Sequence, residues 1–540
     1  MKVCLISAPT ASELGGSHLA EADALRTMAE HAPLGVLSLA AVLEREGLRP
    51  EVVDLNRLYY DFQRVREHGE TDFSRFAASY FAGQAFDFFG FSTVCSSYPL
   101  TIRIACEVKR LHPDSVVALG GPQASAVDLA TLRAYAPIDL VVRGEAEETL
   151  PQLLDALAGH SPLDAVAGIT FRHGQELRRN PDASGITDLD GLPFPAFHLL
   201  PDMQGCRFLP LELGRGCPFA CTFCSTNDFF RRRFRLKSPS RMLEDMRLAK
   251  ATYGVDTFEL VHDMFTVDRK RVAAFCETLI ESGESFYWGC SARTDCIDEE
   301  LIALMAQAGC RGVFFGIETG SARLQKVIDK GLDLTESAAR VRSCDQHKIK
   351  TAVSLIIGFP DETMDDLRAT VRFFMESLCK KYADPQLVIL APLAGTPIHQ
   401  QHREKLVLDD AGADMAYRGW DQGPDEEKMI AEHPEIFPNF YSVPTQFLDH
   451  EFVKELRDFL LNGIKSARSL LVELHKAGGD MLDIFQEWRT WREHNKGAFS
   501  GQDRPAYYAS DAFPRDLLAF VEAQYISAGA GATAGQKLLN

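Results

Sequence analysis

At 540 residues, 46% of them hydrophobic and 25% charged, the chain is too long for one hydrophobic core and has ordinary globular composition. A formal net charge of −19 argues against a nucleic-acid partner, and no apolar run reaches the ~18 residues that span a bilayer. The start, Met1 to Ser12, reads as a strand without the apolar core of a signal peptide. Thirteen cysteines, unevenly spaced, fit no disulfide framework, so a reducing, cytoplasmic setting is expected.

Strand and helix signals alternate through the first third. Lys2 to Ser7, Val52 to Leu55, Phe86 to Ser92, Val116 to Leu119 and Leu140 to Val142 read as strands. Leu34 to Glu46 and Leu100 to Leu111 have helical period. Strands that run into Gly or Ser before a helix predict a doubly wound, Rossmann-like parallel sheet over residues 1–185, with Leu163 to Glu176 as a small extension. Ligands bind such sheets at the carboxyl ends of the strands.

Residues 186–206, rich in Pro and Gly around Leu189 to Pro195, read as a linker. A second alternating series follows over residues 207–395. Its strands are Phe208–Leu213, Thr257–Val261, Tyr287–Ala292, Gly312–Ile317, Thr351–Ile357 and Gln386–Leu390, with helices such as Glu299–Ala308 and Met364–Leu378 between. Six such units predict a partial (β/α)6 barrel of TIM type, which places its chemistry at the carboxyl ends of the strands. Residues 396–526 read as a mostly helical C-terminal segment related to the substrate, with Glu451 to Ala477 as its long helix. Trp420, Phe440 and Tyr441 are candidate wall residues there, against plain core packing. Residues 527–540 read as a disordered tail.

Behind the first barrel strand, Gly214-Arg215-Gly216-Cys217-Pro218-Phe219-Ala220-Cys221-Thr222-Phe223-Cys224 holds three cysteines spaced C-x3-C-x2-C. A closed zinc or iron–sulfur site takes four protein ligands. Three thiolates on a four-iron cluster leave one iron open to a small molecule. The competing reading is structural zinc with Cys206 or His198 as fourth ligand. The basic run Arg231-Arg232-Arg233-Phe234-Arg235-Leu236-Lys237 is either a solvated loop or a positive rim for an anionic ligand.

CPFACTFC in this position resembles the radical S-adenosylmethionine (SAM) superfamily. The resemblance implies that Cys217, Cys221 and Cys224 hold a 4Fe–4S cluster whose open iron takes the amine and carboxylate of SAM, with Phe223 over the cluster. Later strand ends match the family in order. Asp263, after a His262 that replaces the family's first acid, is the candidate for the methionyl amine, with Asp268 behind it. Ser291 suits a ribose hydroxyl and Arg293 the methionyl carboxylate. Glu318, in Gly316-Ile317-Glu318-Thr319-Gly320-Ser321, faces SAM, and Gly358 ends the strand that packs on adenine.

The first domain resembles cobalamin-binding domains at Ser92, Gly120, Gly121, Gly144 and Glu145, where small residues would admit the nucleotide tail. The D-x-H-x-x-G loop of histidine-ligated corrinoid proteins is absent: Ala8 to Gly15 offers no histidine. A sheet that keeps this fold and binds no corrinoid is the alternative. Together these resemblances imply a cobalamin-dependent radical SAM enzyme, most simply a C-methyltransferase acting on a specialised metabolite or peptide and reduced by a flavodoxin- or ferredoxin-type donor. A non-methylating cyclisation or rearrangement is a second reading, and a corrinoid or redox sensor is a third.

Overall fold

The computed structural model describes residues 1–10, 31–65, 72–201, 203, 205–408, 422–499 and 503–526. Trp420, the tail at 527–540 and most of the loop from Ala8 to Gly15 lie outside the described residues. The fold is α/β, and no helix among the described residues is long and apolar enough to cross a membrane. The chain forms two compact units. One comprises Met1–Ser291, Ala303–Arg311 and Ala391–Ser442; the other comprises Ala292–Ile302, Gly312–Leu390 and Val443–Asn540.

The first unit opens on a seven-stranded sheet of β1 (Val3–Ile6), β2 (Glu51–Val53), β3 (Phe88–Ser92), β4 (Val116–Gly120), β5 (Leu140–Val142), β6 (Ile169–His173) and β7 (Glu176–Arg179), in the order 2-1-3-4-5-6-7. The first five strands pair in parallel. The order reverses at β1, so the ligand crevice of this topology falls between β1 and β3. Both faces are covered, which is why these strands read as continuous apolar runs. Cys4, Ile6, Phe89 and Phe91 face one layer, and Val3, Leu5 and Phe88 face the other. The extension departs from a purely parallel sheet: β6 and β7 add antiparallel. Buried Arg143 ties them on, pairing with Asp128 and Asp182 and donating to the carbonyl of Asn180.

The linker packs through Ile186, Leu189 and Leu192 on Val42 of the helix Leu34–Arg45. Next come β8 (Leu209–Glu212), β9 (Gly214–Arg215), β10 (Arg235–Leu236), β11 (Thr257–Val261) and β12 (Tyr287–Ala292). β8, β11 and β12 pair in parallel, with β11 in the middle. β9 and β10 form a short antiparallel ladder that closes the cysteine loop. Trp288 anchors this region, buried against Phe265 and Phe275 with its Nε1 donating to the Ala308 carbonyl at 2.9 Å. Residues 391–442 belong here as well. Ile430, Ile436, Phe437 and Tyr441 bury in the core of the first sheet, and the Tyr441 hydroxyl donates to the Ile430 carbonyl at 2.8 Å.

In the second unit β13 (Cys310–Glu318), β14 (Lys350–Ile357) and β15 (Ala383–Ile389) pair in parallel, so all six β/α units read from the sequence are present. The helix Met364–Leu378 starts with a capping box between Thr363 and Asp366. The long C-terminal helix runs His450–Lys476 and breaks helical geometry at Ala467.

Candidate active site

At the crevice of the first sheet, Thr93 Oγ1 donates to the Gly120 carbonyl at 2.8 Å and accepts the Ala124 N–H at 3.1 Å. Gly121 sits at φ +99°, and a Cβ there would lie 2.8 Å from the Thr93 carbonyl, so this turn accepts only glycine. Gly144, at φ +74°, faces open space and donates its N–H to Ser125 Oγ at 2.9 Å. Ser92 is half-buried at the end of β3. Beyond β1, Ser7 donates to Asp54 at 2.7 Å and Thr10 N–H reaches Asn56 at 2.8 Å. Burial pushes the Asp54 carboxyl above its ordinary range.

Glu145 is buried in ion pairs. Its carboxylate takes Arg215 Nη1 at 2.8 Å and Arg235 Nη1 at 2.9 Å. Arg215 also holds Glu147 and, at 2.7 Å, Glu212. Sequence reading took Arg235 only as part of the basic run and did not foresee that it and Arg215 pair with Glu145 and Glu147. The signal was a carboxylate pair two residues apart after β5 and an arginine immediately before the Gly-Cys of the loop.

Cys221 and Phe223 are buried, while Cys217 and Cys224 are half-buried. Asp263 fastens both ends of their loop, accepting Gly216 N–H at 2.9 Å and the Thr226 hydroxyl at 3.2 Å. Burial raises its carboxyl. Ile398 N–H caps the Thr222 carbonyl at 3.0 Å from the other side. His262 accepts Met264 N–H on Nδ1 at 2.6 Å and lies 3.3 Å from the Arg235 carbonyl through Nε2, the pattern of a neutral ring protonated at Nε2. Burial lowers its pKa to about 4, consistent with that neutral state. Asp268 caps the helix Arg269–Ser282 through Arg271 N–H at 3.0 Å. Within the basic run Arg231, Arg232 and Arg233 are exposed, as a solvated loop would be, while Arg231, Arg233 and Arg235 also donate to the carbonyls of Ala183, Ser184 and Ile186.

Among the described residues, no group of three His, Cys, Asp or Glu side chains is gathered tightly enough for a single ion. In a four-iron cube each thiolate takes its own iron, so the three sulfurs need not converge on one point. Three thiols without a carboxylate or imidazole are the soft donor set that such clusters use. Of the zinc alternative's fourth ligands, Cys206 Sγ donates to the Met203 carbonyl at 3.2 Å and His198 Nε2 lies 3.0 Å from Glu44 Oε1. The loop fits the cluster.

Ser291 is half-buried near the end of β12. In the second unit Arg293 is buried, its Nε and Nη2 paired with Asp295 at 2.9 and 2.8 Å and its Nη2 also donating to the Lys330 carbonyl. Glu318 is buried at φ +68°, just after a register shift in β13, and pairs with buried Lys330 at 2.9 Å. A bulge of this kind re-aims a side chain near a site. A Cβ at Gly316 would lie 2.3 Å from the Glu318 carboxylate, which explains the glycine two residues before it. Gly358, at φ +85°, is buried, and its N–H donates at 2.6 Å to Glu362, a further residue the sequence reading passed over.

Residues 211–374 match the radical SAM superfamily, and residues 23–154 match the B12 binding domain. The chain is 32% identical over 314 residues to an uncharacterized methyltransferase of Pyrococcus horikoshii, covering 57% of this chain and 68% of that protein. It is 27% identical over 326 residues to the anaerobic magnesium-protoporphyrin IX monomethyl ester cyclase of Cereibacter sphaeroides, covering 57% of this chain and 52% of that protein. Its fold matches the radical SAM methyltransferase TsrM from Kitasatospora setae, solved with cobalamin and a [4Fe-4S] cluster bound, at a TM-score of 0.61 and 19% identity over 97% of this chain and 100% of that one. With both domains in one chain and a relative of this identity matched over two thirds of its length, the protein belongs to the radical SAM enzymes that carry a B12-binding domain, whose cofactors are a 4Fe–4S cluster, SAM and cobalamin.

Proposed function

We propose that the enzyme transfers a methyl group from cobalamin to an unactivated carbon of a small molecule or peptide, in a reducing cytoplasmic setting and with electrons from a flavodoxin- or ferredoxin-type donor. The observation that carries this reading is the three-thiol loop in the same compact unit as a B12-type sheet. When bound, the cluster supplies the electron that cleaves SAM, and the corrinoid supplies a transferable methyl group.

The chain's own residues position and shield. Cys217, Cys221 and Cys224 are the cluster's thiolates, and the buried ring of Phe223 excludes water beside them. Asp263 keeps the loop closed by taking Gly216 and Thr226, and its carboxylate edge is offered to the methionyl amine. Asp295 orients Arg293 for the methionyl carboxylate, and Ser291 is offered to the ribose. Lys330 holds Glu318 in its strained conformation toward SAM. Ser92, Gly120, Gly121 and Gly144 leave the strand ends low enough for the corrinoid tail.

Anaerobic protein, supplied with SAM, cobalamin and reductant, is expected to form 5′-deoxyadenosine, and Cys217→Ala to form none. Unchanged production in that variant overturns the cluster assignment. With methyl-deuterated SAM and candidate peptides or metabolites, the product gains the labelled methyl group. The cyclase relative supports a second reading, whose signature is deoxyadenosine formation with a product that gains no carbon.

A further inference from the structure

The cysteine loop leaves and re-enters the fold through β9 and β10, where Arg215 and Arg235 stand opposite each other. Two like charges side by side repel. Both reach Glu145, which comes from the segment after β5 of the first sheet, at 2.8 and 2.9 Å. Glu147 takes the same Arg215, and Glu212 completes its fork. Gly185, just before the linker, packs so close that a Cβ would meet the Glu145 carboxylate at 2.6 Å. Two arginines against three carboxylates leave one formal negative charge, and Arg215, Glu145 and Glu147 are all buried. A buried ion network is weak evidence of net stability, but removing one partner leaves a buried charge uncompensated.

We infer that Glu145 and Glu147 are positioning residues for the cysteine loop: they lock both of its legs to the B12-type sheet and set the charge beside the cluster. This rests on the cluster assignment proposed above. Arg215 lies two residues before Cys217, so the knot adjoins the loop that would hold the cluster. Reduction adds negative charge there. Removing one of the three carboxylate charges while keeping both arginines therefore favours the reduced cluster.

The test uses the full chain, reconstituted anaerobically with iron and sulfide, as wild type and as Glu145→Gln, Glu147→Gln and Glu147→Asp. Iron content, the paramagnetic resonance of the reduced cluster and its reduction potential are the readouts. Both Gln variants are expected to shift the potential upward, and Glu147→Asp, which keeps the charge, to return it to the wild-type value. Full iron content with unshifted potentials in both Gln variants overturns the inference. Gln variants that lose iron while circular dichroism and cobalamin binding stay at wild-type values support the locking role. If a Gln variant does not fold, Glu147→Asp decides: a potential shifted from wild type overturns the inference. A wild-type chain that takes up no cluster sinks the earlier assignment instead.

Discussion

Glu362 is wholly buried, and its Oε2 accepts the N–H groups of Gly358 and Phe359 at 2.6 and 3.3 Å. Burial outweighs those two bonds and pushes its pKa to about 8, so the group is largely protonated at neutral pH. The folded value lies above the ordinary 4.5. The stability it lends is therefore fully present below about pH 4.5 and is lost as the pH rises through about 8, a span on the order of a few kcal/mol. Glu362→Gln keeps a neutral acceptor and removes the titration. The difference in melting temperature, variant minus wild type, should become more positive from about pH 6 to about pH 9. A difference flat across that range contradicts a neutral Glu362. At this scale the cysteines and their companion motifs were legible because each is local in sequence. The pairing of Glu145 with Arg215 was not, since the partners lie 70 residues apart and Glu145 read instead as a cobalamin contact.

The cysteine loop shows what glycine does for an element. Gly216 and Gly254 both have left-handed backbones, at φ +80° and +72°. A Cβ at Gly254, the cap of the helix Pro239–Tyr253, meets nothing, so Gly254→Ala costs only the backbone preference, about 1 kcal/mol. A Cβ at Gly216 would lie 2.1 Å from the Arg233 carbonyl across the closed loop, and backbone cannot swing aside as a side chain can. Gly216→Ala is therefore expected to open the loop and lose most of the bound iron, while Gly254→Ala keeps it. Iron and sulfide per chain after anaerobic reconstitution measure both, and equal iron in the two variants would show that loop closure does not matter. The strands themselves were readable from apolar runs and their glycine endings. The register shift in β13 that turns Glu318 was not, because a bulge leaves no mark in hydrophobic periodicity. Nor was the antiparallel pairing of β6 and β7, since strands this short carry too few residues to show their direction.

At the scale of the whole molecule, chain order and compactness part ways. Residues 396–526 read as one helical segment because helical period dominates them, yet periodicity says which face is apolar and not what covers it. Up to Ser442 the chain belongs with the first sheet: Ile430, Ile436 and Phe437 fill its core, and Arg103 pairs with Asp72, Asp425 and Glu426. From Val443 on it belongs with the other unit. There Gln446 N–H reaches the Pro360 carbonyl at 3.0 Å, Arg468 donates to the carbonyls of Leu378 and Ala383, and Arg368 pairs with Asp480 and Asp483. The first half thus completes a core whose other wall lies elsewhere in the chain, whereas beyond it Phe459, Phe485, Trp488 and Phe513 pack on one another. Residues 396–442 expressed alone would expose the apolar face of Ile430, Ile436 and Phe437, and burial at ~25 cal/mol per Å2 is the main term holding it. The fragment is expected to keep helix by far-ultraviolet circular dichroism, to bind a hydrophobic dye, and to melt without a cooperative transition. A sharp thermal transition with no dye binding would mean that the segment has a core of its own, and that the partition between the two units is wrong.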